Sequence, residues 1–229
     1  MELRLLTTPA ERQEFARRLT EVRMMKGAGF GETRRSVVGE VHLAYGKLYG
    51  LFDEALAADQ MVGGFAMHDL GMFSQSYPKP DLTHLPPETV FECGELWAVA
   101  AGAGRLIRHG GAIIANELGA RALLVYPIFK PWNLSGGYPG FNRVGEPIEW
   151  PYARTLDGGK IHVQAMVGEA EAIGQALQQA REYGFEVLEQ GKRVRFNNPF
   201  GICTKRLNAA LLHKPQSGSR LTPPARAAA

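Results

Sequence analysis

Several things are scarce in this sequence. Only two cysteines, Cys93 and Cys203, occur among 229 residues, too few for a disulfide framework. Cys93 lies in an apolar run, which suits a buried thiol. No apolar stretch approaches the roughly 20 residues that a membrane-spanning helix needs. The first residues, Met1 to Arg18, are charged early and lack the apolar segment of a secretory leader, so a cytoplasmic protein is expected. The formal net charge of +3 is too small to point to nucleic acid, where a basic face would be required. His68, His84, His109 and His162 show no metal-ligand spacing, and no metal site is expected. There is no internal repeat.

What remains is the composition of a soluble globular protein: 45% hydrophobic, 21% charged and 9% aromatic residues. That suffices for one sizeable core. One domain over residues 1–213 is expected, followed by a disordered basic tail over 214–229. The tail holds Lys214, Arg220 and Arg226 and no acid.

The order of elements is legible in places. Leu3–Leu6 is a short strand. Thr8, Pro9 and Glu11 form a helix start, with Thr8 as cap and Glu11 three residues on. Phe15, Leu19 and Val22 recur at helical spacing, and Gly27 is the stop. Ser36–Tyr45 is open between strand and helix. Leu48–Phe52 and Met61–Leu70 read as a strand pair. Gly71–Glu88 is a long loop with four prolines. Thr89–Val99 is a strand, Ala103–Leu118 a helix, and Ala122–Phe129 a strand buried on both sides. Pro131–Gly145 is a loop rich in glycine, proline and aromatics. Pro147–Arg154 and Lys160–Val167 are strands joined at the turn Asp157-Gly158-Gly159. Glu169–Tyr183 is a helix, Phe185–Leu188 and Arg193–Phe196 a terminal hairpin, and Leu207–Leu212 a last short helix.

This order resembles the GNAT acyltransferase superfamily in three segments. They are the strand opening Met61-Val62-Gly63-Gly64-Phe65-Ala66, the strand Gly94-Glu95-Leu96-Trp97-Ala98-Val99, and the helix Ala103–Leu118 leading into Ala122–Phe129. The segments Phe141-Asn142-Arg143-Val144-Gly145-Glu146-Pro147 and Asp157-Gly158-Gly159 are similar, over a short span, to the branch of N-acyl amino acid synthases and acyl-homoserine lactone synthases. One departure stands out. The family's pyrophosphate loop, Arg/Gln-x-x-Gly-x-Gly/Ala, is replaced by Ala100-Ala101-Gly102-Ala103-Gly104-Arg105, with glycines and an Arg at a different spacing.

The resemblance implies an α/β fold, a mixed central sheet flanked by helices in which the fourth and fifth strands splay apart. It implies an acyltransferase that uses acyl-CoA or acyl-phosphopantetheine as co-substrate, with no metal, and acylates a small-molecule amine. The donor's arm would pair with the backbone of Leu96, Trp97, Ala98 and Val99. Its phosphates would sit at the following helix N-terminus, against Gly102, Gly104 and Arg105, with Arg108 adding charge. Gly102 and Gly104 could equally be only a tight turn. An acidic acyl-carrier protein is a further possible partner for Arg34, Arg35, Arg105 and Arg108.

Glu92 and Glu95 lie on the fourth strand, where the fold carries a general base, and strict alternation would set them on opposite faces. Glu95 ranks first; either could instead be a rim glutamate. A tyrosine would protonate the leaving thiolate, and Tyr138 ranks ahead of Tyr126, although both could be packing residues. Trp132, Tyr138 and Phe141 could wall a pocket or cover the sheet edge. The competing functions are an ordinary small-group acetyltransferase and a non-catalytic binding or regulatory module of the same fold.

Overall fold

The computed structural model describes residues 1–25, 43–54, 60–69, 80–100, 102–128, 138, 140–155 and 157–198. The predicted tail, the helix Leu207–Leu212, Cys203, Trp132, Arg34 and Arg35 lie outside the described residues. The elements run β1 (Glu2–Leu5), α1 (Pro9–Met25), β2 (Lys47–Phe52), β3 (Met61–Asp69), β4 (Val90–Ala98), α2 (Ala103–Glu117) and β5 (Ala122–Val125). They continue with β6 (Asn142–Arg143), β7 (Ile148–Arg154), β8 (Lys160–Val163), β9 (Met166–Glu169), α3 (Ala170–Ala180), β10 (Phe185–Leu188) and β11 (Arg193–Phe196).

Nine strands form one sheet in the order β10-β11-β1-β2-β3-β4-β5-β9-β6, and β7 pairs β8 apart from it. Every neighbouring pair in the main sheet is antiparallel except β4 and β5, which are parallel. The four central strands therefore lie as the sequence leads one to expect, with β2, β3 and β4 antiparallel neighbours and β5 next to β4.

Helix α1 begins on the reciprocal cap written into Thr8 and Glu11. The Thr8 hydroxyl accepts from the Glu11 N–H at 3.2 Å, and the Glu11 carboxylate accepts from the Thr8 N–H at 3.1 Å. Its stripe of Phe15, Leu19 and Val22 is buried against one face of the sheet. There Phe15 meets Trp97 of β4 edge to face, with ring centroids 5.7 Å apart. Gly64 of β3 makes this close approach possible: a Cβ there would stand 2.4 Å from the Tyr49 carbonyl oxygen and 2.7 Å from the Phe15 ring.

Helices α2 and α3 cover the opposite face. Leu106, Ile107, Ile113 and Ile114 of α2 are buried, as are Ala172, Ile173 and Ala176 of α3. The two helices run antiparallel, since Arg105 near the start of α2 reaches Tyr183 beyond the end of α3, while His109 donates to the Ala176 carbonyl.

Two sequence expectations change here. The run Lys160–Val167 is two strands, because Gln164 breaks it. Its buried side chain donates to the carbonyls of Val144 and Gly145, and its own N–H goes to the Pro127 carbonyl. Strand β5 stops at Val125 and not at Phe129, because the chain beyond it turns to β8, where Ile128 bridges Val163.

Candidate functional site

That departure of the chain after Val125 creates the site. β4 and β5 pair only through Val90–Ala122, Phe91–Leu123 and Glu92–Leu124. From Cys93 onward no described residue of β5 pairs with β4, although β4 continues to Ala98. The backbone of Leu96, Trp97 and Ala98 thus faces a parting of the sheet, as the resemblance implies. Val99 turns the other way, its N–H donating to the Val62 carbonyl at 2.9 Å.

A cavity of about 370 Å³ fills the parting on the side of α2 and α3. Its walls change character along its length. At the N-terminal end of α2 they are polar: Arg105, Arg108, Gln179, Glu182 and Tyr183. At the far end they are mostly apolar: Cys93, Ala112, Leu123, Val125 and Phe141, with Tyr138 between. Ligand pockets commonly combine an apolar lining with a few converging polar groups in this way.

Tyr138 is packed against the core, and its ring lies 5.8 Å below the Arg108 guanidinium. Burial, reinforced by the neighbouring Cys93, raises its pKa above the ordinary tyrosine value, so it holds its proton at neutral pH. Burial, with help from the Glu92 charge, pushes the Cys93 thiol up to about 12. A thiol so protected is a wall of the cavity and not a nucleophile.

The two candidate carboxylates are on the other side, and on the same side as each other. Glu95 has a positive φ of 53° and sits at a break in register, where Gly64 opposes Trp97 but Ala66 opposes Gly94. The extra residue of this bulge cancels the strand alternation between Glu92 and Glu95. Glu95 pairs with Arg23 of α1 at 2.5 Å. Glu92 stands directly across from His68 of β3, with His68 Nε2 3.6 Å from its carboxylate. Both side chains of that pair are almost wholly buried. The expectation that Glu92 and Glu95 face opposite sides is therefore corrected. Tyr126, just past β5, belongs to this face too, where Glu92 adds to the burial that raises its pKa.

At the start of α2, Gly102 is the N-cap in the left-handed conformation, with φ 83°. Gly104 has room around it, the nearest atoms to a Cβ there being 3.9 Å away. The N–H groups of Ala103 and Arg105 are turned back onto the carbonyls of Ala100 and Gly102, at 3.2 and 3.0 Å. Arg105 is exposed at the rim of the cavity, and its bond to Tyr183 is the first of the influences that strengthen its hold on its proton.

Sequence reasoning missed the His68–Glu92 pair, which depends on a register between distant segments. It also missed Tyr183 as the partner of Arg105, and His109 in the cavity wall. Among the described residues no cluster of three or more His, Cys, Asp or Glu could hold a metal ion, and no helix is long and apolar enough to cross a membrane.

No protein-family model and no curated protein matches the chain. Solved structures do. FeeM, an N-acyl amino acid synthase from uncultured soil microbes, aligns over 80% of this chain and 98% of its own, at 13% identity and a TM-score of 0.55. A candidate phosphinothricin N-acetyltransferase aligns over 74% and 98%, at 15% identity and a TM-score of 0.51. MesI, a CoA-dependent acyl-homoserine lactone synthase, aligns over 81% and 97%, at 17% identity and a TM-score of 0.50. At these identities the likeness is one of fold, and with the parallel β4–β5 pair that opens into a cavity it gives this chain the fold of the GNAT N-acyltransferases.

Proposed function

We propose that the protein is an N-acyltransferase that moves an acyl group from acyl-CoA, or from the phosphopantetheine arm of an acyl-carrier protein, to a small-molecule amine. The observation that carries this reading is the parting of β4 and β5 into a cavity that is polar beside the N-terminus of α2 and apolar at its far end. A thioester donor has that polarity, with phosphates at one end and an acyl group at the other.

The chemistry needs little beyond positioning, since the thioester carbonyl is already activated. The donor arm adds to the exposed backbone of Leu96–Ala98, and its phosphates lie against Gly102, Gly104, Arg105 and Arg108. The amine enters the parting of β4 and β5, toward the Glu95 side of the strand. As its nitrogen bonds to the carbonyl carbon, its proton passes to Glu95, directly or through one water. Glu92, backed by His68, is the second carboxylate on that face. The carbon–sulfur bond then breaks as Tyr138 gives its proton to the leaving sulfur, and solvent afterwards returns a proton to Tyr138 and takes one from Glu95. Tyr138 and the carboxylates thus act from opposite faces of one strand.

The test has two stages. CoA and acyl-CoA should raise the melting temperature, because a ligand of the native state stabilises it by about 2.7 kcal/mol at 100 times its Kd. Incubation of acyl-CoA with a panel of amines should then yield amide and free thiol by mass spectrometry. Stabilisation without amide from any amine would make the protein a non-catalytic acyl-CoA binding module. Absence of stabilisation would remove the donor site.

A further inference from the structure

The Phe141 ring lines the apolar end of the cavity. Phe141 follows a turn in which its N–H donates to the Tyr138 carbonyl at 3.2 Å. Its side chain crosses β9 at Gly168, where a Cβ would stand 2.5 to 2.7 Å from three ring carbons. Any residue but glycine at 168 would displace the ring. Tyr138 flanks it, with centroids 5.5 Å apart. On the α3 side the turn is at its limit, since a Cβ on Gly140 would lie 3.1 Å from that of Ala172. Leu123, paired with Gly168 across β5 and β9, lines the cavity beside the ring.

We infer that Phe141, seated on Gly168, sets the length of acyl group that this protein accepts. The inference rests on the reading of the cavity as the acyl-donor site. An acyl group entering from the polar end passes Cys93 and Leu123 and meets the Phe141 ring. The ring is held by the turn behind it, by Tyr138 beside it and by the strand beneath it, so a longer chain cannot push it aside without disturbing all three. Apolar pockets discriminate by about 10- to 200-fold for one methylene too many or too few, and a wall this fixed gives a sharp limit.

The experiment measures kcat/KM over a series of straight-chain acyl-CoAs from acetyl to dodecanoyl, with thermal stabilisation by each as a readout independent of turnover. The variants are F141A, F141L, G168A and the double variant F141A/G168A. F141A should move the preference to longer chains, raising the ratio of a long to the original best chain by about tenfold or more. F141L should move it less. G168A should move it to shorter chains, because the added methyl drives the ring into the cavity, the remaining free direction. On the F141A background the same change should have no effect, since there is no ring to displace. F141A or F141L that melts cooperatively and keeps the original chain preference overturns the role of Phe141 while leaving the donor site intact. Failure of every acyl-CoA to bind the unmodified protein overturns the donor site itself, and the inference with it.

Discussion

The two faces of β4 are built to opposite rules. On the α1 face each large side chain is filled in or paired: Trp97 against Phe15, Glu95 with Arg23, Glu92 with His68. On the other face Cys93 and Leu96 border empty space. One face holds charge in fixed positions, and the other holds room for a ligand. A single strand can do both because β5 leaves it after Glu92 and because the bulge at Glu95 brings a second carboxylate to the face that already carries Glu92. The lesson is that the separation of the two carboxylates from the cavity depends on backbone irregularity as much as on residue type.

The largest expected effect breaks this division at its charged face. Glu95→Gln keeps the side-chain shape but gives up the charge paired with Arg23, so its melting temperature is measured alongside; it should slow acyl transfer by about 100- to 10,000-fold, the range of general-base contributions. Stopped-time amide assays across pH check it. The deficit should shrink as pH rises, since more of the amine is then already deprotonated. Glu92→Gln shares the face and is a competitor for the role, not a control: should it lose the rate while Glu95→Gln keeps it, Glu92 is the base.

The faces were unequally legible from sequence. The cap of α1 was readable because Thr8 and Glu11 act within one turn, and Phe15, Leu19 and Val22 announced the buried stripe. The parting of β4 and β5 follows from the resemblance, while the sequence leaves Trp132, Tyr138 and Phe141 open between walling a pocket and covering the sheet edge; Tyr138 and Phe141 line the cavity, and Trp132 lies outside the described residues. The sidedness of Glu92 and Glu95 was not readable. It turns on a non-glycine residue in the left-handed conformation, which leaves no mark in composition or periodicity. His68 opposite Glu92 was equally hidden, because a register between strands joined by a long loop is set by the whole sheet.

The packed face can be tested next through Gly64. Gly64→Ala sets a Cβ against the Tyr49 carbonyl oxygen and the Phe15 ring, so either the β2–β3 pair or α1 must shift. Overpacking of this kind typically costs about 1–3 kcal/mol. Urea unfolding should show at least that loss. An unchanged midpoint would mean that α1 is not pressed against the sheet there.

On the open face, Arg105→Ala should weaken CoA binding by about 1–3 kcal/mol, toward the low end because the side chain is exposed. Calorimetric titration measures it, and the difference should narrow in high salt. An unchanged affinity would remove Arg105 from the donor site and leave Arg108 and the backbone around Gly102 and Gly104 to hold the phosphates.

The smallest effect belongs to His109, where the open face meets its helices. Burial, and then the charge of Arg108, lower its pKa below the ordinary 6.5, opposed by its bond to the Ala176 carbonyl and, more weakly, by Glu182. Arg105 acts in the same sense as Arg108. In the fold the imidazole is therefore neutral at a pH where the unfolded chain has already taken up a proton. The unfolded state then binds more protons, and stability falls as pH falls. That loss begins as the pH drops through about 6.5 and stops once the folded residue is itself protonated, with a slope of at most about 1.4 kcal/mol per pH unit. His109→Gln keeps a donor for the Ala176 carbonyl and has nothing to titrate. Melting temperatures of both proteins at pH 7.5 and 5.5 give the comparison. The unmodified protein should lose more stability between the two pH values than the variant, whatever other groups contribute to both. Equal losses would mean that the imidazole is protonated without penalty, and that the junction of α2 and α3 beside the cavity is wetter than its burial implies.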